Sequence, residues 1–303
     1  MDLIVFGTVY LEVVFGDMPA LPGPGQEIYT DQFAFSIGGG AVTVATAASR
    51  LGVRAGMSAL LGDDLGSRVA EQHCRRVGVD MTACRYVTGP VTGVSVAVNF
   101  DGDRAFISHL PPRPAGERRD TRRWLEVLRE HRPRWCHVHA GPGVAPFVRQ
   151  ARSLGVHVAL AVAHNDIDDD AEAVVDCVRE ADIFLTNEPE LIQLTAAASL
   201  AQAMPAATEW CPCVVVTRGA DGAVVARPGN ITHVTEGMLP VEVRDRTGAG
   251  DAFAGALLGA LCQGASLTEA AVAGNAAGSR TVTLLGAVGE VDVAGLSREV
   301  PIP

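Results

Sequence analysis

Short apolar runs alternate with small-residue helical segments along most of this chain, and that alternation restricts the fold more than any other feature. Leu3–Phe6 has the composition of a buried strand, and Ala41–Leu51 is typical of a helix. A strand at Ala55–Leu60 and a helix at 65–77 repeat the order. Because parallel strands need helical crossovers, the pattern predicts an α/β fold with a mostly parallel sheet between helices.

The alternation resumes in the second half of the chain. Strands are predicted at Cys136–His139, Val156–Ala161, Ile183–Leu185, Val214–Thr217 and Ala223–Ala226. Helices are predicted up to Leu154 and at Asp170–Glu180, Asp251–Gln263 and Leu267–Val282. Pro111–Arg123 is dense in Pro and Arg, which predicts an exposed loop.

One segment interrupts this order. Gly93–Phe100 and Arg104–Leu110 are rich in Val, Ala, Ile and Phe, and they flank the turn sequence Asp-Gly-Asp at 101–103. This predicts a β-hairpin. Together with the strand-like composition of Glu27–Ser36, the hairpin indicates a small sheet that projects from the main body.

The charge of the chain excludes several classes of protein. A formal net charge of -11 argues against binding to nucleic acid or to an anionic membrane through bulk electrostatics. The chain contains no Lys, so its 24 Lys and Arg positions are all Arg. A phosphate-binding loop of the Gly-Lys-Ser/Thr type and the strand lysine of a protein kinase are therefore impossible. Any phosphate site must use backbone amides, Arg or a metal.

Cysteine usage and the N-terminal sequence indicate the compartment. The seven Cys have no repeating spacing, and only Cys211 and Cys213 are close together, so reduced thiols are expected. The N-terminus lacks the features of a signal peptide, and no apolar run reaches the length of a membrane span. The expectation is a soluble, cytoplasmic protein.

The segment Asp-Arg-Thr-Gly-Ala-Gly-Asp, from Asp245 to Asp251, carries the strongest chemical signal. It leads into a helix with one apolar face, whose first turn exposes unpaired N–H groups at the positive end of the helix dipole. Gly248, Ala249 and Gly250 would let a phosphate approach the backbone closely. Asp251 places a base beside this anion hole, which indicates phosphoryl transfer. The structural alternative is a tight loop with Asp251 as the N-cap.

Motifs in a characteristic order resemble those of the ribokinase (pfkB-type) family of carbohydrate and nucleoside kinases. The similar segments are Gly38-Gly39-Gly40 with Ala47–Gly52, Gly62-Asp63-Asp64-x-Gly66, Thr186–Glu190, Val214–Gly219, Asp245–Asp251, Asn275-Ala276-Ala277 and Gly286-Ala287. Each motif is a weak signal alone, but together they span nearly the whole chain. The resemblance implies one domain over residues 1–303, folded as a three-layer α/β/α sandwich with a mostly parallel central sheet. It also implies a small β-sheet lid formed by about 10–36 and 91–110.

The resemblance implies ATP-dependent phosphorylation of a hydroxyl on a sugar or sugar-like molecule. Asp251 would take the proton of the attacking hydroxyl. The amides of Gly248, Ala249 and Gly250 would hold the negative charge that builds on the γ-phosphate.

A second group of residues would hold the nucleotide and its metal. The resemblance assigns Asn187 and Glu190 to Mg²⁺, with Glu190 acting through water. The alternative for this pair is a helix start with Glu in the first turn. Thr217, Gly219 and Asn275 would lie beside ATP.

The half of the chain that selects the substrate departs from the family pattern. The resemblance assigns substrate contacts to Glu12, Gly38, Gly39 and Thr43. Glu12 stands where the family usually has Asp, and Thr43 stands where it commonly has Asn. Glu12 can still accept hydrogen bonds from hydroxyl groups, and Thr43 offers one hydroxyl in place of an amide. These changes argue against a standard ribose or fructose pocket and leave the phosphoryl-transfer residues intact.

Several residues have two open interpretations. Asp245 and the Thr247 carbonyl resemble positions that bind a monovalent cation such as K⁺ in some members, and the alternative is an Asp that braces the loop. Arg246 and Arg104 face either solvent or a phosphate, on ATP or on a phosphorylated substrate.

Two clusters of polar residues receive no functional role. His137 and His139 alternate on a predicted strand and share one face, but the sequence shows no further metal ligands for them. The acidic run within 166–170 is interpreted as helix capping and solvation.

Three functions compete. The leading one is a sugar kinase that uses ATP and Mg²⁺, with a sugar or a sugar phosphate as its partner. The second is a nucleoside kinase of the same fold, and the third is a non-catalytic relative that binds a small molecule. A dinucleotide-binding dehydrogenase is disfavoured because Gly38-Gly39-Gly40 does not continue as Gly-x-Gly-x-x-Gly. A homodimer through the lid is expected, because an exposed sheet with apolar residues benefits from cover.

Overall fold

The structure is a computed structural model that describes residues 1–100, 103–112 and 119–293. The strands are β1 (Leu3–Phe6), β2 (Tyr10–Met18), β3 (Gln32–Gly38), β4 (Ala55–Ser58), β5 (Leu60–Leu61), β6 (Arg85–Tyr86), β7 (Gly93–Phe100), β8 (Asp103–His109), β9 (Trp135–His139), β10 (His157–Ala161), β11 (Ile183–Asn187), β12 (Val214–Thr217), β13 (Ala223–Arg227) and β14 (Asn230–Val234). The helices are α1 (Gly40–Arg50), α2 (Leu65–Val77), α3 (Thr121–His131), α4 (Ala145–Ser153), α5 (His164–Glu180), α6 (Glu188–Thr195), α7 (Leu200–Trp210), α8 (Ala249–Cys262) and α9 (Leu267–Thr281).

The central sheet has the strand order β14-β13-β12-β11-β10-β9-β1-β4. Neighbouring strands from β4 to β12 are parallel, and β13 and β14 join antiparallel at one edge. All four residues of β1 are buried. Continuous apolar composition suits a strand that is covered on both faces, so the prediction of a mostly parallel, buried sheet is confirmed.

Helices cover both faces of this sheet. One hydrophobic core includes buried residues of α1, α2, α8 and α9, and the other includes buried residues of α3 to α7. Glycine allows α8 to pack closely against α1, because a Cβ on Gly255 would collide with the Val44 carbonyl oxygen. The predicted three-layer α/β/α sandwich is therefore confirmed.

A separate sheet, the lid, has the order β3-β2-β7-β8. It contains the predicted hairpin, since β7 and β8 pair antiparallel. The pairing places four polar side chains in one cross-strand row on one face: Glu12, Ser36, Ser95 and Ser108. The opposite face is apolar and carries Val13, Phe15, Phe33, Phe35, Val94, Val96 and Ile107.

Some sequence predictions of local structure were wrong. The end of the predicted loop Pro111–Arg123 is the start of α3, which buries Trp124 and Leu128 at helical spacing; residues 113–118 lie outside the described part. Helix α5 starts before Asp170, where its backbone is non-helical, and that kink explains the later start inferred from sequence. Helices α3, α6 and α7 and strand β14 were not predicted from the sequence. None of the described helices is long and apolar enough to cross a membrane.

Candidate active site

The start of α8 forms an open set of backbone donors. Gly248 caps the helix with a left-handed φ of 74°, and Asp251 is the third helical residue, so the alternative of Asp251 as N-cap is wrong. Within the described chain, the amides of Gly250 and Asp251 donate to no acceptor, and that of Ala249 makes only a 3.4 Å contact with the Arg246 oxygen. A Cβ on Gly250 would meet nothing within 4 Å. An anion therefore has both space and donors at the positive end of this helix.

Three elements meet at the Asp251 carboxylate. A Cβ placed on Gly40, at the start of α1, would lie 3.7 Å from Asp251 Oδ1 and 3.3 Å from His139 Nε2. His139 is the last residue of β9. Desolvation in the site raises the pKa of Asp251, and the charge of His139 opposes that change. The carboxylate is thus a partly buried base that lies across a glycine from an imidazole.

The turn from β3 to α1 brings the predicted substrate residues to the same place. Gly39 has a φ of 90°, and a Cβ there would collide with the Thr8 carbonyl oxygen. A Cβ on Gly38 would overlap Glu12 Oε1. Thr43 is 2% exposed, and its hydroxyl has no hydrogen-bond partner among the described residues. A buried, unpaired hydroxyl costs about 1–3 kcal/mol, which a polar ligand would recover.

Glu12 is a buried acid at the base of the lid. It is 5% exposed, and its Oε2 accepts a 3.2 Å hydrogen bond from the Ala287 amide. Burial, with smaller contributions from the charges of Asp245 and Asp251, raises the pKa of Glu12 to about 7, although the Ala287 hydrogen bond opposes the change. Near neutral pH this side chain exchanges a proton and can donate or accept a hydrogen bond.

The raised pKa of Glu12 predicts a pH-dependent stability. The folded protein holds this proton more tightly than the unfolded chain, whose carboxyl has a pKa of 4.5. The free energy of unfolding should therefore fall, by up to about 3 kcal/mol, as the pH rises from about 4.5 to 7. Urea unfolding of the wild type and of Glu12→Gln across this range measures the effect. In the variant, the free energy of unfolding should no longer fall with pH over this range. If the free energy of unfolding has the same pH dependence in both proteins, Glu12 does not have a raised pKa.

Asp245 braces the loop before α8. Thr247 donates to Asp245 Oδ1 through its amide at 2.9 Å and its hydroxyl at 2.7 Å, and the Gly286 amide donates to Oδ2 at 2.8 Å. Both carboxylate oxygens are therefore engaged inside the chain, as the loop-bracing interpretation expects. A role of Asp245 and Thr247 in binding a monovalent cation stays a prediction.

The predicted nucleotide residues lie at the carboxyl ends of β11 and β12. These strands are parallel neighbours, and Asn187 pairs in register with Thr217. Asn187 and Glu190 form a capping box: the Glu190 amide donates to Asn187 Oδ1 at 2.8 Å, and Glu190 Oε2 accepts from the Asn187 amide at 3.1 Å. Gly219 follows with a φ of 57° and open space around it. The helix-start alternative is thus realised, and the Mg²⁺ and ATP roles stay predictions.

Asn275 is 3% exposed and braces the chain after β14. Its Nδ2 donates to the Val234 oxygen at 3.0 Å and to the Glu236 oxygen at 2.9 Å. These contacts account for a polar residue in α9, and its proposed proximity to the nucleotide stays a prediction.

The two arginines with open interpretations occupy different surroundings. Arg104 interacts within its own hairpin, with Asp103 at 3.4 Å and with the Phe106 ring at 5.7 Å. Arg246 is exposed and lines a cavity of about 520 Å³ between the lid and residues 242–246.

Sequence reasoning missed the polar group around His139. Asp166, interpreted as a cap, does accept from the Ala163 amide at 3.1 Å, but it also faces His139, with 3.7 Å between Oδ2 and Nδ1, and accepts from Arg119. His137 shares a face with His139, as predicted, and is fully buried; burial, followed by the His139 charge, lowers its pKa to about 3. The described residues hold no cluster of three metal ligands. The missed signal was position, because ligands of open parallel sheets bind at the carboxyl ends of strands.

Comparison with known proteins identifies the family. The model of the pfkB family carbohydrate kinases matches residues 3–128 and 145–292, so the chain belongs to this family. It is 29% identical to aminoimidazole riboside kinase of Salmonella typhimurium over 275 residues, which cover 83% of each chain. It is 27% identical to ribokinase of Haemophilus influenzae over 301 residues, covering 94% of this chain and 93% of the relative.

A solved structure supports the same fold. The chain superposes with a TM-score of 0.78 on an E. coli protein assigned as ribokinase II, whose crystal structure contains ATP and Mg²⁺. The match covers 98% of both chains at 22% sequence identity. At this sequence identity, the likeness establishes the ribokinase fold alone.

Proposed function

We propose that this chain transfers the γ-phosphate of ATP to a hydroxyl of a sugar, a sugar phosphate or a nucleoside. The observation that carries the proposal is the junction at α8. There the carboxylate of Asp251 directly follows the Gly250 amide, which has no acceptor among the described residues, and faces Gly40 at the start of α1. A base and an anion site at one position suit the transfer of a phosphoryl group to an alcohol.

In the proposed reaction, the acceptor hydroxyl lies between Asp251 and the glycine turn at Gly38–Gly40. Asp251 accepts the hydroxyl proton as the oxygen attacks the γ-phosphorus, and ADP departs. The amides at the start of α8 donate to the phosphoryl oxygens, on which negative charge is concentrated. These donors are fixed by the helix and need no reorganisation during the reaction.

Mg²⁺ fits an acidic and amide-bearing site at the end of β11. Asn187 and Glu190 supply the oxygen ligands that Mg²⁺ prefers, directly or through water, and the bound ion would neutralise charge on the nucleotide phosphates. Thr217 and Gly219 belong to the adjacent strand end. We assign the nucleotide phosphates to this side of the site.

The acceptor class follows from the glycine turn and the lid. Glu12 and the Thr43 hydroxyl, which has no partner in the described part of the chain, offer polar contacts at the predicted substrate residues. Ser36 and Ser95 lie in the same cross-strand row as Glu12. Such contacts suit a polyhydroxylated ring. The relatives named above include a ribokinase and a riboside kinase, so a free sugar and a nucleoside are both candidate acceptors.

The test is an ADP-release assay with ATP and Mg²⁺ over a panel of free sugars, sugar phosphates and nucleosides. Acceptor-dependent ADP would support the kinase and identify its acceptor class. Turnover of sugar phosphates alone would favour a contact between the exposed Arg246 and the phosphate of the substrate. Folded protein that binds ATP but releases no ADP with any acceptor would favour the non-catalytic alternative.

The apolar face of the lid predicts a homodimer. Phe33 is 46% exposed, Val94 41% and Ile107 73%, and burying such a face is favourable by about 25 cal/mol per Å². Light scattering should give twice the chain mass for the wild type, and Ile107→Asp should shift it toward the monomer. Ile231→Asp, at a 52% exposed residue of the central sheet, is the matched control. A concentration-independent monomer for the wild type would contradict the dimer.

A further inference from the structure

Basic and acidic side chains form a row that extends from the protein surface to Asp251. Arg119 donates to Asp166 Oδ1, Asp166 Oδ2 lies 3.7 Å from His139 Nδ1, and His139 Nε2 faces the space over Gly40 that Asp251 also borders. Basic and acidic side chains therefore alternate in this order. His139 lies between the two carboxylates of Asp166 and Asp251, and nearby negative charge favours the protonated form of an imidazole.

Backbone contacts hold Arg119 and Asp166, the two outer members of this row. The Arg119 guanidinium also donates to the Ala140 oxygen at 3.0 Å, directly after β9. Gly141 has a φ of 146°, and a Cβ there would collide with the guanidinium. Asp166 is held by the Ala163 amide at the start of α5. Both partners of the outer ion pair are therefore anchored, and only 14% of the Asp166 side chain is exposed.

The anchored carboxylate determines which nitrogen of His139 faces the site. Because Nδ1 is directed at Asp166, Nε2 is the nitrogen that borders Gly40 and Asp251. His139 is 34% exposed, so the ring reaches the open side of the site. This arrangement orients the imidazole and places a carboxylate beside its Nδ1, which favours the protonated form.

We propose that Arg119, Asp166 and His139 form a relay of alternating basic and acidic groups beside Asp251. In this relay, His139 is a positioning residue whose charge favours the ionised form of the Asp251 carboxylate. The role in catalysis rests on the proposed function, whereas the coupling between His139 and Asp251 does not. The relay answers a physical problem at this site. Desolvation raises the pKa of Asp251, and a protonated Asp251 cannot accept a proton from the acceptor hydroxyl.

The other charged groups around His139 support the same charge state. Asp166 from α5, Asp251 from α8 and Glu190 from α6 are all acidic, whereas desolvation and the neighbouring His137 disfavour the imidazolium. Desolvation is the largest single influence on the pKa of His139, but the combined effect of the three carboxylates is larger, so this pKa is raised. Removing one carboxylate should therefore lower the pH at which His139 loses its proton.

The first test is a histidine NMR titration of the free protein, with the His139 signal assigned from its absence in His139→Gln. Asp166→Asn and Asp251→Asn should each move the His139 titration to lower pH. Asp168→Asn, on the exposed side of the same helix, should leave it unchanged. Because coupling is reciprocal, a downward shift caused by Asp251→Asn measures how strongly His139 favours ionised Asp251. An His139 titration that Asp251→Asn does not move would overturn the proposal.

The second test is the pH profile of turnover, with an acceptor from the panel that the wild type phosphorylates. His139→Gln and Asp166→Asn should move the acid limb of kcat to higher pH, and moving that limb by about one pH unit lowers turnover on it tenfold. A purely structural role would lower kcat equally at every pH, and that result would overturn the proposal. If no acceptor is found, the proposed function fails, but the titration still tests the relay.

Discussion

Replacing Asp251 with Asn should lower kcat by about 10²–10⁴-fold, the usual contribution of a general base. Asn has nearly the same shape, so the start of α8 and its open amides should persist. Asn cannot accept the proton of the acceptor hydroxyl. We expect an unchanged fold and unchanged ATP affinity, measured by circular dichroism and calorimetry, together with the loss of acceptor-dependent ADP formation. The KM for ATP should change little.

The control for this substitution is Asp176→Asn, at a 57% exposed carboxylate on α5. It removes the same charge from the protein and should keep the wild-type kcat. If Asp251→Asn turns over at the wild-type rate, Asp251 is not the general base. Unfolding of Asp251→Asn would require the comparison to be repeated with Asp251→Glu, which keeps the carboxylate and displaces it by one methylene.

The second large effect is expected at Gly248. Its φ of 74° lies in the left-handed region, where an L side chain costs about 1–2 kcal/mol. A Cβ there would also lie 2.6 Å from the Cβ and 2.8 Å from the Cα of Ala287. Gly248→Ala should therefore lower the midpoint of thermal unfolding, displace the start of α8 and abolish turnover. Calorimetry and the ADP assay measure these two effects.

Gly250→Ala separates stability from function in the same loop. A Cβ on Gly250 meets no atom within 4 Å, so this variant should fold as well as the wild type. The added methyl group enters the space assigned to the phosphoryl group, so kcat should still fall by about 10²-fold, comparable to the loss of one anion-hole donor. Full activity of Gly250→Ala would place the phosphate elsewhere.

The sequence predicted the layers of this fold because its signals are local. The strand at Leu3–Phe6 and the helix at Leu65–Val77 occur with the predicted bounds, since apolar runs and helical spacing report burial directly. The lid hairpin was also correct, apart from its ends. Helix α3 was missed because the dense Pro and Arg before it obscured the helical spacing of Trp124 and Leu128.

The active-site residues divide in a similar way. Asp251 and the small residues before it are contiguous in sequence, so their meeting at one helix start was predictable. The relay was not, because Arg119, His139 and Asp166 come from separate parts of the chain with no shared motif and meet only in the folded protein. Asp166 was correctly identified as a helix cap, but the second oxygen of its carboxylate serves an ion pair that only tertiary structure reveals.

The most direct test of the proposed kinase activity is to follow the γ-phosphorus atom of ATP. Wild-type protein is incubated with γ-labelled ATP, Mg²⁺ and each acceptor of the panel, and the products are separated and weighed by mass spectrometry. We expect the label on one acceptor hydroxyl, with one ADP formed for each phosphorylated acceptor, and a rate about 10²–10⁴-fold lower with Asp251→Asn. Label that appears only as inorganic phosphate, or that still reaches the acceptor at the wild-type rate in Asp251→Asn, would contradict it.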